Sequence, residues 1–327
     1  MRPAPNKSPQ ERTVEQDSLT GLLVGQTFIV LAIATWAGSN VVYKVWSQAF
    51  PPFLFFFFRY LVSAVMVGFL WVLNKGYHDD LDRRTVATLV VMGVFGIAYY
   101  NLSLFIGLRY APAAMGAVFI STAPIYAELL LVTTTKIPLS RKTVFWAFFC
   151  MAGVAVVVGL GWEDASLVGL AWLLSSAVVL AFYNVFSANM MARKKISPPT
   201  VTFFTISSAA GFFFVAMLFE PRGAEVLETT LSLGFWLSIL YLSFFGVMIG
   251  RTLYNIGVKK AGANIATISM NLSPILTAAL AFLFIDEIPT PGLVLGGAIV
   301  IIGVVGVVRE NMRRVTTRPS AERVDLT

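Results

Sequence analysis

The chain of 327 residues holds one cysteine, one histidine and few charges, with Lys, Arg, Asp and Glu together making up 13%. Cys150 alone cannot build a disulfide framework, and His78 alone offers no cluster for zinc or haem. A typical soluble protein carries about 25% charged and roughly 45–50% apolar residues. This one is 57% hydrophobic with a mean hydropathy of +0.78, more apolar surface than a soluble fold of this length can hide. The shortage of charge therefore excludes a water-soluble enzyme and a disordered chain. It also excludes a nucleic-acid-binding module, although the net charge is +7. An all-α polytopic membrane protein is expected. Neither a metal nor a cofactor is, because the spacing offers no Ser/His/Asp triad, metal cluster or phosphate loop.

A bilayer core of about 30 Å takes roughly 20 apolar residues per helix. Charged and Pro-rich breaks divide the chain into ten transmembrane segments: 22–45, 52–73, 85–107, 112–134, 143–160, 166–189, 200–218, 231–256, 264–285 and 291–308. The 108–112 connection is so short that the third and fourth segments must form a close hairpin. No cleavable signal peptide is expected, because the first apolar run is too long and follows a polar tail. Basic residues set the orientation. With both termini cytoplasmic, Lys75, Arg83, Arg84, Lys136, Arg141, Lys142, Arg193, Lys194, Lys195, Lys259, Lys260 and the basic residues of both tails fall inside, against Arg109 and Arg222 outside and Lys44 at an outer helix end. Outside loops instead carry Glu163, Asp164, Glu225, Glu228, Asp286 and Glu287. The positive charge marks the cytoplasmic face of an inner (plasma) membrane.

Shifting the sequence by 150 residues lays 106–158 on 256–308 without a gap. Gly107 then meets Gly257, Ala111 meets Ala261, Ala113 meets Ala263, Pro124 meets Pro274 and Gly153 meets Gly303. Upstream, Asn40-Val41 resembles Asn184-Val185, and Pro51-Pro52 resembles Pro198-Pro199. The expected organisation is a cytoplasmic tail (1–21), a five-helix unit (22–160), a second unit (166–310) and a cytoplasmic tail (311–327). Five is odd, so the second unit enters the membrane from the opposite side. Such inverted repeats are a recurrent plan of secondary transporters.

The stretches TWAGSNVVYK (35–44), PPFLFFFFRY (51–60), IGLRYAPAAMGAVFISTAPI (106–125) and IGVKKAGANIATISMNLSPI (256–275), with FIDEIP (284–289), carry a resemblance. Over 22–310 the chain resembles the EamA family of the drug/metabolite transporter superfamily. That resemblance implies a secondary transporter moving small metabolites, often amino acids or their derivatives, outward by alternating access. One departure is visible: TTKIPLS (134–140) replaces the family's acidic turn after the fourth helix. The expected partners are the lipid bilayer and a small-molecule substrate, with no nucleic acid. A monomer is expected, with a dimer as the alternative. The competing function is a membrane-embedded enzyme acting on a lipid-linked substrate, which the lack of clustered acids, His or Cys disfavours.

Charges inside spans are expensive and face a cavity or a partner. Arg59 either holds a substrate carboxylate or phosphate, pairs with an internal acid, or bonds loop carbonyls near the outer face. Glu128 is the acid well inside a span, where it could bind a cationic substrate, couple protons, pair with Arg59 or Arg251, or snorkel. Arg251 lies near a helix end, where snorkelling accounts for it cheaply. Pro124 and Pro274 interrupt the fourth helix of each unit and are hinge candidates. Asn40, Tyr43, Tyr99, Asn101, Trp172, Tyr183, Asn184 and Asn271 are polar or aromatic groups expected to face inward, because an amide facing lipid would be unsatisfied. Aromatic lining suits a ring-bearing or amphipathic ligand. Trp46, Trp71, Trp146 and Trp162 are assigned to the interfacial belt. The expected effect of Glu128→Gln is altered flux or altered pH dependence in proteoliposomes; no change in either removes Glu128 from the mechanism.

Overall fold

The computed structural model describes residues 9–73, 81–135, 141–161, 166–194, 196–220, 232–261 and 269–317. Some side chains inside these helices, Glu128 and Asn255 among them, lie outside that description, as do His78 and the outer-loop acids Glu163, Asp164, Glu225 and Glu228. All regular structure among the described residues is helical. The helices are α1 (Pro9–Ala49), α2 (Pro52–Leu73), α3 (Arg83–Arg109), α4 (Ala113–Ser121), α5 (Ala123–Thr135), α6 (Arg141–Gly161), α7 (Leu167–Lys194) and α8 (Pro198–Met217). There follow α9, which runs from Leu233 to Ala261, α10 (Ser273–Ile285) and α11 (Pro291–Thr317).

Seven of them carry stretches long and apolar enough to cross a membrane: Leu23–Ala49, Pro52–Leu73, Arg83–Arg109, Leu167–Ser187, Pro198–Met217, Leu233–Tyr254 and Pro291–Glu310. The fourth and ninth expected segments fall on shorter apolar helices, Ala113–Ala127 and Met270–Ile285. The tail that the sequence reading leaves featureless is helical from Pro9 onward, continuous with α1. Helix starts are written in the residues. Asp82 accepts from the Thr85 N–H at 3.1 Å and Ser232 from the Phe235 N–H at 3.2 Å, each satisfying one orphan donor of a first turn. Prolines open α2 and α8, where the missing N–H costs nothing.

The fourth segment breaks where the sequence places Pro124. Thr122 closes α4 by donating its hydroxyl to the Phe119 carbonyl at 2.6 Å, and α5 restarts at Ala123. About 150 residues later a 3₁₀ turn, Met270–Leu272, precedes Pro274 in the first turn of α10. A second paired irregularity has no counterpart in the sequence reading. Met92–Ala98 in the middle of α3 and Tyr241–Ile249 in the middle of α9 are π-helical, again about 150 residues apart.

Packing follows the same duplication. Each half's first helix lies on the third helix of the other half (α1 on α9, α7 on α3), and also on its fourth (α1 on α10, α7 on α5). The second helices pair with one another, α2 on α8, and the fifth likewise, α6 on α11. Much of each half's apolar surface is therefore buried against the other half.

The α6–α11 seam shows what close approach requires. A Cβ on Gly296 would stand 2.6 Å from the Gly153 carbonyl oxygen, and one on Gly303 would stand 2.8 Å from the Cys150 backbone nitrogen. Only hydrogen fits between these backbones, as in other small-residue helix contacts. The glycine face of α11 is thus spent within the chain. Gly297 points elsewhere and would meet only Val118 at 3.7 Å. Gly296→Ala is expected to destabilise the protein by about 1–3 kcal/mol through overpacking. Gly297→Ala stays within about 0.5 kcal/mol of the parent. Equal melting temperatures for the two variants would overturn this account of the seam.

Candidate functional site

Arg59 lies two turns into α2 and is only 7% exposed. Its Nη1 donates to the Tyr60 hydroxyl at 3.0 Å and to the Asn101 side-chain oxygen at 3.1 Å. Tyr43 of α1 donates its hydroxyl to the same oxygen at 2.9 Å, and the Asn101 amide is aimed by its own bond to the Ile97 carbonyl. Three rings surround the guanidinium carbon, Tyr60 at 4.8 Å, Tyr43 at 5.2 Å and Phe56 at 5.9 Å. Cation–π attraction is worth about 2 kcal/mol or more once water is excluded. Neutral rings soften the burial of a charge but do not cancel it. Among the described residues no carboxylate pairs with this cation, and its Nε is buried without a hydrogen-bond partner.

The sequence reading offered three roles for Arg59. Bonding to loop carbonyls is not what the structure contains: the partners are side chains of α2 and α3. Pairing with Glu128 concerns a side chain outside the described residues. Arg59 is thus a desolvated cation with an open donor. Tyr43 and Asn101, expected to face inward, do so and hold it. Tyr60 was missed; its signal was the adjacency Arg59-Tyr60 at the end of a Phe run. Tyr100, half-buried on α3, lies within electrostatic reach of both Arg59 and Arg251.

The other expected site residues are spread around this cluster. Asn40 is buried and donates to Thr277 of α10 at 3.4 Å, a polar contact between the halves. Tyr183 of α7 is buried with its ring over Gly96 in the π stretch of α3, and a Cβ there would meet it at 2.6 Å. In the reciprocal contact between the halves, Trp36 of α1 donates to the Gly246 carbonyl at 2.8 Å, in the π stretch of α9. Tyr99 and Trp172 pack against each other with centroids 6.2 Å apart. Asn271 is buried in the 3₁₀ turn. Asn184 and Arg251 are exposed, so the repeat partner of Asn40 does not share its surroundings. Trp46 and Trp71 depart from a simple interfacial belt. Trp46 donates to Ser238 and sits among Phe50, Phe55 and Phe235, and Trp71 donates to Thr200 and stacks on Phe203.

One end of the bundle, where α1, α3, α8 and α10 finish, is sewn together across the halves. Glu220, just past α8, accepts from the Phe53 and Leu54 N–H groups at the start of α2, at 3.2 and 2.9 Å. Glu287, just past α10, accepts from the Ala113 N–H at the start of α4 at 3.1 Å. Each carboxylate meets the positive end of a helix dipole. Lys44 donates to the Leu108 and Ala111 carbonyls, and Arg109 to the Ser47 carbonyl. Asp286, with φ of 54°, supplies the left-handed turn that aims Glu287.

Comparison with known proteins gives a consistent picture. The EamA-like transporter family model matches residues 23–159 and 167–309. The uncharacterized transporter YyaM of Bacillus subtilis (strain 168) is 25% identical over 262 residues, 77% of this chain and 83% of that protein. A probable terminal-alkyne amino-acid exporter of Streptantibioticus cattleyicolor is 24% identical over 294 residues, 88% of this chain and 94% of that protein. A solved structure described only as "Crystal structure of protein" shares the fold at a TM-score of 0.60 and 22% identity, covering 90% of this chain and 99% of its own.

Burial pushes the Glu287 carboxyl above its ordinary 4.5, against the smaller pull of the Ala113 N–H and Lys44 in the other direction. A carboxyl whose folded pKa is raised contributes stability that is full below 4.5 and is lost as pH rises through the raised value. Glu287→Gln keeps an acceptor for Ala113 and removes the titration. The melting temperature of the parent is expected to fall relative to the variant as pH rises from 4.5 toward neutrality. Parallel curves would refute the assignment.

Proposed function

We propose that this chain, which belongs to the EamA-like transporter family, is a secondary transporter that exports a small metabolite bearing a carboxylate or similar anionic group on an apolar or aromatic body. Arg59 is the residue that receives the anion. The reading rests on its buried guanidinium with no acidic partner among the described residues and an Nε left without an acceptor. A buried cation so placed gains most from a ligand that brings the missing negative charge, because charge-assisted hydrogen bonds are about twice as strong as neutral ones. The rings of Tyr43, Phe56 and Tyr60 around this cation make the aromatic surroundings that the apolar body of such a ligand would share.

In this reading the two five-helix units, 22–160 and 166–310, are inverted repeats in the inner membrane with both termini cytoplasmic. The sewn end then faces outward and the end bearing Asn184 and Arg251 faces the cytoplasm. Substrate enters from the cytoplasm, and the outer contacts of Glu220, Glu287, Lys44 and Arg109 part to release it. The broken helices at Pro124 and Pro274 bend as that happens, since a proline removes a backbone bond and leaves the helix softer there. A transporter of this kind needs no bound cofactor. The relatives are named transporters, one of them an amino-acid exporter, which supports this class over a lipid-modifying enzyme.

Flux of a panel of amino acids and related anions from proteoliposomes tests the reading. Arg59→Gln is expected to lower transport of the cargo by about ten- to a hundredfold, the worth of one charge-assisted pair. Arg59→Lys, which keeps charge but loses the planar fork, retains part of it. Unchanged flux in Arg59→Gln, in a variant that elutes as a folded protein, would remove the anion site.

A further inference from the structure

Away from the Arg59 cluster, at the opposite end of the bundle, a cavity of about 550 Å³ opens between the start of α6 and the middle turns of α11. It is lined by Lys142, Trp146, Ile301, Ile302, Val305, Gly306, Arg309 and Glu310. The antiparallel pairing of the two helices puts these residues in layers. Trp146 lies against Gly306, whose missing side chain makes room for the indole. One turn earlier on α6 comes Lys142, level with Arg309 one turn later on α11, since four residues of helix rise about 6 Å. Moving the other way along α11, the lining becomes wholly apolar: Val305, then Ile302 and Ile301.

The apolar part of this groove looks onto the bilayer. Ile302 is exposed, as are Phe145 and Phe148 on the neighbouring face of α6. Both cations are exposed at its mouth, and the single carboxylate in the lining, Glu310, leaves the mouth net positive. An aromatic ring separates the two zones, as Trp does at the level of lipid headgroups. Cations over an indole over an aliphatic slot is complementary to one kind of molecule, an anionic headgroup with an acyl chain. Basic pockets between helices on the cytoplasmic side recognise such headgroups.

We propose that this groove binds an anionic phospholipid, with Lys142 and Arg309 on the phosphate and Ile301, Ile302 and Val305 along an acyl chain. The site is separate from the transport pathway and does not depend on the identity of the cargo. The mouth carries two cations and one carboxylate, so a bound anion balances its net positive charge and occupancy stabilises the α6–α11 seam. The seam in turn joins the two halves.

The test uses the full chain purified in a neutral detergent. Melting temperature is followed while phosphatidylglycerol, phosphatidylcholine or glycerol 3-phosphate is added, and apparent affinities are taken from the shifts. Phosphatidylglycerol is expected to raise the melting temperature, with phosphatidylcholine giving little. The double variant Lys142→Gln/Arg309→Gln should bind phosphatidylglycerol about thirtyfold more weakly, a factor of about five for each cation near an anionic surface. A control, Arg83→Gln/Arg84→Gln, removes two exposed cations from the same end of the bundle and should keep the parent response. Equal shifts with both lipids, an unchanged response in the Lys142/Arg309 variant, or an equal loss in the control would overturn the proposal. So would full reproduction of the shift by glycerol 3-phosphate, which would mark a free phosphate site instead of a lipid site. Arg59 variants should show the parent lipid response, so failure of the anion-transport reading leaves this result intact.

Discussion

A guanidinium buried among helices in a bilayer has no water to fall back on, and the surroundings of Arg59 answer that constraint. Isolated burial of an ion costs several kcal/mol even after relaxation. The structure meets part of that cost with three ring faces and two charge-assisted hydrogen bonds. Tyr60 on α2 and Asn101 on α3 supply those bonds, and Tyr43 on α1 joins them through its ring and its bond to Asn101, so three helices of one half converge on the cation. From the other half, Ser243 donates to the Arg59 backbone carbonyl at 3.0 Å, inside the π stretch of α9. One charge thus organises both sides of the interface that would have to move.

The halves are built so that neither is complete alone. First helices lie on third and fourth helices of the other half, second on second, fifth on fifth. The asymmetry lies in the side chains. Asn40 reaches across to Thr277, whereas Asn184 at the equivalent place is exposed. Asn101 accepts from Arg59, while the residue 150 positions later is itself a cation, Arg251. The groups that hold the buried cation, Tyr43, Tyr60 and Asn101, all come from the first half, while the second contributes Ser243 and Thr277 across the interface.

Much of this was legible in the residues. Apolar run lengths located the second span, 52–73, at the limits the structure has, and Pro124 and Pro274 marked the helix breaks because proline cannot donate. The scarcity of charge singled out Arg59 and carried over to Tyr43 and Asn101. Other features left no local signal. The π stretches in α3 and α9 keep the apolar character of their neighbours, and their extra residue per turn arises from packing against Tyr183 and Trp36. Glu287 reads as an ordinary loop acid and Glu220 draws no notice at all, because the helix starts they cap lie some 170 residues away in the chain. Asn184 was placed with Asn40 on sequence likeness, and likeness does not carry the neighbours with it.

The sole cysteine acquires a practical meaning from the seam it occupies. Cys150 is fully buried, its backbone pressed against Gly303 where α6 and α11 touch. A thiol reagent reaching it would first have to separate the two helices. The native chain is therefore a silent background for site-directed labelling. A cysteine introduced beside Asn184, Arg251 or the Glu287 loop would report its own accessibility without interference, and any signal from Cys150 itself would announce that the two halves had come apart.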